Sequence, residues 1–426
     1  MVKNIEFTSK DLIKPSTPTP RHLRNYKLSF LDQIAPPAYV RVILFYEHII
    51  NTPLETSQLL KKSLAKTLTR FYPLAGRVVN DFVIECNDEG AEYSEVRVPF
   101  KLCEAIESKD AKEIKMLFPY DMHFDIKNEA MLAVQFNVFD CGGIAIGLSF
   151  SHKIVDGTSV TAFLHAWSAF TRGATVINGL DLDSALHFPP TNVSGYNRPT
   201  KGNINRDKIA TKRFKFSKSS IAALREAAAK PETTRYEVIT AFIWRRLMAI
   251  FESKQEPKKK LEYAAVHAVN LRARMVPPLT SKSFGNIWQY AVASSPSSAN
   301  LEIQNQNNNQ ETCHSTLVSQ TSKTIRDING DYVKKLRNGE WYMNWMKERV
   351  KNVELIAFTS WCAFPMYEID FGWGNPIFAT SLGRPFKNVT VLTSDRNGDG
   401  IEIWINLLEE DMAVFENDSE VLSFVS

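Results

Sequence analysis

Residues Gly143–Thr171 read GIAIGLSFSHKIVDGTSVTAFLHAWSAFT, and this stretch is the most informative part of the chain. The apolar run Gly143–Phe150 predicts a strand, and a helix is predicted from about Ser159 to Thr171. His152 therefore follows a strand and precedes a helix. A side chain in that position faces the cleft into which the strand edges open, so His152 is a candidate functional residue.

The segments around this stretch predict an α/β chain. Leu59–Arg70 places leucines on one face at helical spacing, and Ala130–Phe139 predicts a further strand. Periodicity fails from 173 to 207, where proline and glycine interrupt the pattern, and it resumes at Lys212–Phe216 and Ser220–Ala229. The sequence therefore predicts two αβ domains with a long crossover between them.

Composition excludes several classes of protein. The chain has 426 residues, which suggests two or three domains. Its 44% hydrophobic and 23% charged residues are typical of a globular chain rather than a disordered or collagenous one. Lys and Arg number 51 and Asp and Glu 47, so the net charge of +4 does not favour a nucleic acid partner.

Cysteines and apolar runs bear on metal binding and on the compartment. The 5 cysteines are odd in number and form no CxxC pair, so neither a disulfide framework nor a zinc ribbon is expected. The N-terminal residues contain no apolar core of a signal peptide, and no apolar run is long enough to span a membrane. We therefore expect a cytoplasmic protein with no metal and no membrane partner.

His152 and Asp156 form an HxxxD motif. An imidazole pKa of about 6.5 suits removal of a proton from an alcohol at neutral pH, so His152 can be a general base. Asp156 is placed to hold the loop rather than to contact a substrate. The residues alone leave two alternatives open. His152 can simply cap or pack under a turn, or it can bind zinc with Asp156 and further ligands that the neighbouring sequence does not supply.

Three other stretches are typical of ordinary structure. Asp370–Gly374 (DFGWG) has two glycines around Trp373, which predicts a tight structural turn. Arg272 follows an apolar strand, and such an arginine usually pairs with a carboxylate. Thr359 and Ser360 end another predicted strand, where two hydroxyl groups can line a cleft.

Motifs of several other classes are absent. Gly147–Ser151 (GLSFS) lacks the last glycine of a nucleophile elbow, and neither a P-loop nor a dinucleotide-binding GxGxxG occurs. Asp395–Gly400 (DRNGDG) begins like an EF-hand loop, but the alternation that follows it predicts a hairpin turn. His165 and His267 lie in apolar runs, as packed core residues do.

As an ordered set, these motifs resemble the plant BAHD acyl-CoA-dependent acyltransferases over nearly the whole chain. The resemblance rests first on HxxxD at His152–Asp156 and DFGWG at Asp370–Gly374. Further matching stretches are Tyr72–Arg77 (YPLAGR), Asp140–Gly143 (DCGG), Asn270–Arg272 (NLR) and Phe284–Asn286 (FGN).

The resemblance implies a fold and a reaction. The fold has two similar-sized domains of the chloramphenicol acetyltransferase type, with mixed β-sheets, flanking helices and a solvent channel between them. Residues 1–172 would be the N-terminal domain carrying HxxxD, 173–207 the crossover, and 208–426 the C-terminal domain carrying DFGWG. The implied reaction transfers an acyl group from acyl-CoA to a hydroxyl in a ternary complex, without an acyl-enzyme.

The resemblance also implies residue roles. His152 is then the catalytic base, and Asp156 is a loop-orienting residue that pairs with Arg272. The DFGWG turn supports the CoA side through Asp370, Phe371, Gly372, Trp373 and Gly374. The residues implied in binding CoA are Gly157, Lys212, Thr234, Thr359, Ser360 and Trp361.

Within the family, the resemblance is strongest to alkaloid O-acetyltransferases, through Ile13–Pro20, Leu31–Gln33 and Phe358–Cys362. Ile287 follows Asn286 where malonyl-transferring members often carry cysteine, which favours acetyl-CoA as the donor. We therefore expect a monomer that binds acetyl-CoA, or another acyl-CoA, and a small-molecule alcohol, with an alkaloid as the favoured acceptor.

Other functions are compatible with the same sequence. The acceptor can be a terpenoid or volatile alcohol, and the acyl group can be another one, such as malonyl. A catalytically inactive binding protein of this fold is a non-enzyme alternative, against which the intact His152 and Asp156 argue. An ester hydrolase is a further alternative, against which the missing nucleophile elbow argues.

Overall fold

The structure is a computed structural model that describes residues 4–119, 129–193, 208–254, 262–295, 313–349, 353–382 and 386–426. The chain divides into two compact units, and each consists of several stretches of sequence. Unit 1 comprises Met1–Asn203, Leu279–Ile287 and Phe364–Arg384, and unit 2 comprises Ile204–Pro278, Trp288–Ala363 and Pro385–Ser426.

The strands of the described residues are numbered in chain order. They are β1 (Glu6–Ile13), β2 (Asn25–Lys27), β3 (Tyr39–Tyr46), β4 (Arg77–Val78), β5 (Val83–Glu85), β6 (Ala91–Val98), β7 (Leu132–Phe139), β8 (Ile144–Ser151), β9 (Ile209–Phe216), β10 (Glu262–Asn270), β11 (Trp288–Ser295), β12 (Val353–Ser360), β13 (Phe378–Thr380), β14 (Val389–Ser394) and β15 (Ile401–Leu408).

The helices are numbered in the same way. They are α1 (Phe30–Ile34), α2 (Pro53–Arg70), α3 (Leu102–Glu107), α4 (Lys112–Lys115), α5 (Gly157–Thr171), α6 (Ser184–His187), α7 (Lys218–Ala227), α8 (Arg235–Ser253), α9 (Cys313–Asp327), α10 (Gly330–Leu336), α11 (Gly339–Arg349), α12 (Glu409–Phe415) and α13 (Ser419–Phe424). Among the described residues, no helix is both long enough and apolar enough to cross a membrane.

Unit 1 is built on a sheet with the strand order β1-β6-β7-β8-β3-β13. Every residue of β8 is buried, because β7 and β3 flank it on both sides and helices cover the sheet. The buried ring of Trp167 on α5 fixes one helix to another, since its Nε1 donates to Leu60 O of α2 at 3.2 Å. A smaller sheet has the order β2-β5-β4.

Strand β13 explains why unit 1 contains residues from the C-terminal part of the chain. β13 pairs antiparallel with β3, and Phe378 lies opposite Phe45. This pairing places Asp370–Gly374 in unit 1, whereas the sequence prediction assigned the motif to a C-terminal domain of residues 208–426. The reason is physical: a strand of three residues has no recognisable pattern of its own and is stabilised by the distant edge that it joins.

The predicted crossover 173–207 is described only in part. Its beginning lacks strand or helix apart from α6, as the loss of periodicity predicts, and residues 194–207 lie outside the described residues. Asp181 forms a bridge with Ser283 and its carbonyl accepts the N–H of Phe284 at 2.7 Å. The crossover thereby holds the stretch Leu279–Ile287 in unit 1.

Unit 2 has a second sheet, with the strand order β11-β10-β12-β14-β15-β9. Helix α8 covers one face with apolar side chains such as Phe242 and Leu247, which pack in the same core as Ile356 and Ile403 of the sheet. The stretch Asp395–Gly400 joins the antiparallel strands β14 and β15, so the predicted hairpin turn is confirmed.

Polar caps set the beginnings of two helices of unit 1. Thr52 and Glu55 form a reciprocal capping box at the start of α2, and Ser29 and Asp32 form one at the start of α1. Helix α2 therefore begins at Pro53, earlier than the Leu59 that leucine spacing predicts, because apolar periodicity detects the buried face and not the polar first turn. The box of α2 is exposed, whereas that of α1 is buried.

Candidate active site

His152 directly follows β8, a strand of unit 1 in which every residue is buried. The β3–β8 pairing runs as far as Tyr39 and Ser151, and the backbone N–H of His152 extends it by donating to Ala38 O at 2.8 Å. The residue is 5% exposed. The strand ladder thus fixes the backbone of His152 up to the point where the loop to α5 begins.

The imidazole of His152 is oriented by Asn286. Its Nδ1 lies 2.9 Å from Asn286 Oδ1, and both side chains are buried. The Asn286 Nδ2 donates to His152 O at 2.8 Å and to Asp32 Oδ1 at 2.9 Å. Because both of these partners are acceptors, the amide orientation is fixed and Oδ1 faces the ring. The hydrogen-bond network therefore assigns the proton of neutral His152 to Nδ1 and the lone pair to Nε2.

Asp156 holds the loop that follows His152. It is the N-cap of α5, where its Oδ1 accepts the N–H of Ser159 at 2.9 Å. Its Oδ2 accepts the N–H of Ile287 at 3.0 Å. A single buried carboxylate thus joins the HxxxD loop, the first turn of α5 and the end of the stretch Leu279–Ile287.

The first turn of α5 makes two further close contacts with other segments of unit 1. Ser159 Oγ donates to Gly285 O at 3.1 Å and accepts the N–H of Gly285 at 3.0 Å. A Cβ at Gly157 would lie 2.4 Å from Cε2 of Phe364, so this glycine allows the phenyl ring to approach the helix backbone. A role of Gly157 in binding CoA stays a prediction.

Arg272 was predicted to pair with Asp156. It belongs to unit 2, is 3% exposed, and donates from its backbone N–H and its guanidinium to Asn270 Oδ1 at 3.0 and 3.3 Å. The asparagine therefore orients the arginine from two residues away. The pairing of Arg272 with Asp156 stays a prediction.

The DFGWG turn is organised by its own aspartate. Asp370 Oδ1 accepts the N–H groups of Gly372 at 2.7 Å and Gly374 at 2.9 Å, and the two glycines have φ angles of +113° and +99°. Backbone angles of this kind are open to glycine and strained for other residues. The predicted tight structural turn is therefore present, with both glycines in the conformations that require them.

The same turn packs against the far end of α5. Phe371 stacks on Trp373 with ring centroids 5.5 Å apart and meets the edge of Trp167 at 5.0 Å. The guanidinium of Arg172, directly after α5, donates to Asp370 O. Since α5 has 15 residues, it separates this turn from Asp156 by about 22 Å.

Two residues predicted to bind CoA make structural contacts within unit 2. Lys212 on β9 forms an ion pair with Glu416. Thr234 is the N-cap of α8, where its hydroxyl donates to Glu237 Oε2 at 2.8 Å and accepts the N–H of Glu237. These contacts account for both residues structurally, and their contact with CoA stays a prediction.

The other predicted CoA residues lie together where β12 ends. Ser360 Oγ accepts the N–H of Cys362 at 3.3 Å, and the backbone N–H of Trp361 donates to Leu392 O at 2.7 Å. Thr359 lies opposite Val391 on β14. The structure thus brings Thr359, Ser360 and Trp361 to one strand end, as the sequence indicated.

Two other histidines differ from His152. His267 is fully buried, stacks on Phe358 with centroids 5.3 Å apart, and binds the Tyr236 hydroxyl through Nδ1 at 2.8 Å. Burial lowers the pKa of His267 to about 3, so it stays neutral. The prediction of a packed core residue is confirmed for His267, while His165 lies half-buried on α5.

In the part of the chain that is described, no group of His, Cys, Asp and Glu is placed to hold a metal ion.

Sequence reasoning gave no role to Asn286 or Asp32. Both lie in stretches that match the family pattern, Phe284–Asn286 and Leu31–Gln33. The Ser29-x-x-Asp32 spacing indicates a capping box, but it does not indicate that the carboxylate also reaches a residue 254 positions away. Only the folded chain shows this contact.

Comparison with known proteins decides the family. The profile of a family described as Transferase family matches residues 3–422. Vinorine synthase of Rauvolfia serpentina is 35% identical to this chain over 100% of the chain and 99% of its own length. The chain belongs to the BAHD acyltransferase family. It therefore transfers an acyl group from acyl-CoA to a hydroxyl.

Other BAHD acyltransferases match over equally long stretches. Limonoid 21-O-acetyltransferase of Melia azedarach is 35% identical over 99% of this chain and 98% of its own. Stemmadenine O-acetyltransferase of Catharanthus roseus is 34% identical over 98% of this chain and 97% of its own. These relatives are named for different acceptors, so family membership alone does not assign one.

Comparison with solved structures confirms the predicted fold class. The crystal structure of vinorine synthase superposes with a TM-score of 0.86, at 34% identity and over 99% of both chains. TRI101 of F. graminearum, solved with ethyl coenzyme A, has a TM-score of 0.73 at 15% identity over 94% of this chain and 99% of that one. The second likeness shows the fold alone. The expected chloramphenicol acetyltransferase-like architecture is thereby confirmed.

Proposed function

We propose that the protein transfers acetyl from acetyl-CoA to a hydroxyl of a plant specialised metabolite, with His152 as the general base. One observation carries the catalytic role: the Asn286 amide holds the Nδ1 proton of His152 and so presents the lone pair on Nε2. A neutral imidazole in this tautomer can accept the proton of an acceptor hydroxyl at neutral pH.

The reaction then needs no group on the protein to become covalently bound. Nε2 of His152 takes the hydroxyl proton while the acceptor oxygen attacks the thioester carbonyl carbon. The resulting tetrahedral oxyanion collapses, the carbon–sulfur bond breaks, and the CoA thiolate receives the proton from His152. Asp156 holds the loop during these steps through Ser159 and Ile287. Binding both substrates at once supplies the proximity that the attack requires.

Acetyl is the favoured acyl group. The relatives named above as O-acetyltransferases match nearly the whole chain. Ile287 follows Asn286 in this chain, where malonyl-transferring family members often carry cysteine. We therefore propose acetyl-CoA as the co-substrate.

An alkaloid is the favoured acceptor, and a terpenoid alcohol is the second candidate. Stemmadenine O-acetyltransferase and salutaridinol 7-O-acetyltransferase of Papaver somniferum are each 34% identical to this chain. The limonoid 21-O-acetyltransferase of Melia azedarach is 35% identical to this chain, which supports a terpenoid alcohol as the second candidate. A panel with alcohols of both classes separates the two.

The activity is tested by thiol release. Purified protein with acetyl-CoA should release free CoA thiol only when an alkaloid or terpenoid alcohol is added, and the product should carry one acetyl ester by mass spectrometry. A binding protein would retain acetyl-CoA and release no thiol. A hydrolase would release acetate without any acceptor. Malonyl-CoA as the preferred donor would overturn the proposal for acetyl.

His152→Gln tests the general base. Glutamine keeps a polar side chain beside Asn286, so folding should be retained, while turnover should fall by about 10²–10⁴, the range for a positioned acid–base group. His165→Gln is the matched control, because His165 is a half-buried histidine of the same unit, and it should leave turnover near that of the wild type. A His152→Gln enzyme with more than about a tenth of the wild-type rate would contradict the assignment.

A further inference from the structure

Asp32 is an acidic residue at a fully buried position of unit 1. It is 0% exposed and lies in α1, three residues after the N-cap Ser29. Its Oδ2 is contacted by Ser29 N at 2.9 Å, Ser29 Oγ at 2.7 Å and Ser184 Oγ at 3.3 Å. Its Oδ1 accepts from the backbone N and from Nδ2 of Asn286, both at 2.9 Å.

This environment suits an ionised carboxylate. Both oxygens face N–H or O–H donors, which stabilise the ionised form. Burial raises the pKa of Asp32 above its ordinary value, and the hydrogen bonds from Ser29 and Asn286 oppose that shift. Tyr26, whose hydroxyl lies 3.4 Å from Ser184 Oγ, faces the same cluster and stays neutral, because burial and the Asp32 charge raise the pKa of Tyr26.

The Asp32 carboxylate and the carbonyl oxygen of His152 together set the direction in which the Asn286 amide points. In the observed orientation the amide NH2 donates to Asp32 Oδ1 and His152 O, and the amide oxygen faces His152 Nδ1. A flipped amide would bring two oxygens within 2.9 Å of one another at Asp32, and would present an NH2 group to Nδ1. The ring would then have to accept at Nδ1 and carry its proton on Nε2.

We propose that Asp32 is a positioning residue that fixes the tautomer of His152 through the Asn286 amide. It keeps the ring proton on Nδ1 and the lone pair on Nε2. The proposal rests on the proposed role of His152 as general base. It adds the buried residue Asp32 to the residues that shape the site. The same logic operates in catalytic triads, in which a carboxylate sets the tautomer of the basic histidine.

The simplest competing explanation is that Asp32 only caps α1. Glu55 provides the matched comparison, because it is also the third residue after an N-cap, in the capping box of α2 in the same unit. Glu55 contacts Thr52 alone in that box and has no contact with Asn286 or His152 among the hydrogen bonds of the described residues. A carboxylate-to-amide change at each position therefore separates capping from tautomer control.

Asp32→Asn is the decisive variant. An amide at position 32 has one oxygen where the carboxylate has two. When its NH2 group faces Asn286, the flipped side-chain amide of Asn286 is favoured, and the backbone N–H of Asn286 loses its acceptor. Turnover should then fall by about 10²–10⁴, as for loss of the base, with little change in KM for acetyl-CoA. Glu55→Gln should leave both parameters near those of the wild type.

Asp32→Ala distinguishes tautomer control from a purely structural role of Asp32. Alanine removes every hydrogen bond of the carboxylate but leaves the Asn286 NH2 its second acceptor, His152 O. We therefore expect turnover per folded molecule to decrease in the order Glu55→Gln, Asp32→Ala, Asp32→Asn. A structural role alone predicts the reverse order for the two Asp32 variants, because alanine removes more contacts than asparagine.

The tautomer can be read directly by NMR with 15N-labelled histidine. The chain has 8 histidines, and the His152 ring signals are those missing from His152→Gln. At about two pH units above the ordinary histidine pKa of about 6.5, wild type and Glu55→Gln should show unprotonated Nε2 of His152. Asp32→Asn should show protonated Nε2.

The outcomes separate this inference from the proposed function. An unchanged tautomer in Asp32→Asn, or turnover per folded molecule that is lower in Asp32→Ala, would overturn the role of Asp32 and leave the general base intact. A His152→Gln enzyme that keeps its rate while Asp32→Asn changes the tautomer would overturn the general base and with it the catalytic meaning of the tautomer.

Discussion

Asp156 at the start of α5 and Asp370 beside its end each accept hydrogen bonds from two backbone N–H groups. The donors to Asp156 belong to Ser159 and to Ile287, which is 131 positions away along the chain. The donors to Asp370 are Gly372 and Gly374 of its own turn. The first aspartate therefore joins separate segments of the chain, and the second closes a local bend.

The two aspartates also differ in burial and in the residues around them. Asp156 is 5% exposed and lies in the loop that follows His152, whereas Asp370 is half-buried and lies beside an aromatic cluster. About 22 Å of helix separates them. We expect changes at the first end of α5 to lower turnover and stability together, and changes at the second end to lower stability alone.

The largest difference is expected between Asp156→Ala and Asp370→Ala. Asp156→Ala removes an N-cap, at a cost of about 0.5–2 kcal/mol, and leaves the buried Ile287 N–H without its acceptor, at about 1–3 kcal/mol. Displacement of the His152 loop should also lower kcat by about 10–10². Asp370→Ala should cost about 0.5–1.5 kcal/mol, because water can replace its exposed contacts, and should leave kcat nearly unchanged.

Thermal unfolding and steady-state kinetics measure both effects. For a unit of this size, each kcal/mol lowers Tm by about 2–4 °C. A loss of kcat in Asp370→Ala as deep as that in His152→Gln would place Asp370 in the chemistry and break the comparison. So would an Asp156→Ala enzyme with native kcat. Coupling of Asp156→Ala with Arg272→Ala in a double-mutant cycle tests the predicted pairing.

Local patterns predicted most of the secondary structure. Helix α2, strand β8 and strand β9 were predicted because each has an apolar face of the correct period or an unbroken apolar run. The assignment of β13 to unit 1 was not predicted, since the stability of a three-residue strand comes from the edge of β3 that it joins. A pattern confined to neighbouring residues contains no information about such a partner.

The sequence predicted only part of the candidate site, because the other contacts of the site also join residues that are distant along the chain. His152 was found from its place at a strand end and from the family motif, and Asp156 from its spacing. Asn286 and Asp32 were not assigned, because their contacts with the site join residues 134 and 254 positions apart. Hydrogen bonds over such separations depend on the fold rather than on any spacing in the sequence.

Two glycine variants, one at each end of α5, should have effects of intermediate size on Tm and kcat. In Gly157→Ala the new Cβ meets the Phe364 ring at 2.4 Å, and overpacking of this kind costs about 1–3 kcal/mol. Gly374→Ala meets no atom within 4 Å but is strained by its φ of +99°, at about 1–3 kcal/mol. We expect similar losses of Tm but a lower kcat, by about tenfold, for Gly157→Ala alone, because its neighbour Asp156 would shift.

Phe364→Leu provides the control for the steric explanation. The smaller side chain should make room for the new Cβ, so the double variant Gly157→Ala/Phe364→Leu should recover part of the Tm and kcat that Gly157→Ala loses. Equal kcat in Gly157→Ala and Gly374→Ala would show that the two ends of α5 do not differ in their coupling to turnover.

Phe371→Leu tests whether the aromatic cluster acts only through stability. Its ring stacks on Trp373 and meets the edge of Trp167, and each aromatic pair of this kind contributes about 0.5–1.5 kcal/mol beyond burial. Leucine keeps the side chain apolar, so Tm should fall by a few degrees while kcat and KM stay those of the wild type. Phe7→Leu on β1, where the ring is 60% exposed, should change neither. If Phe371→Leu lowered kcat with native Tm, the far end of α5 would influence the base through the helix, and the contrast between the two ends would have to be abandoned.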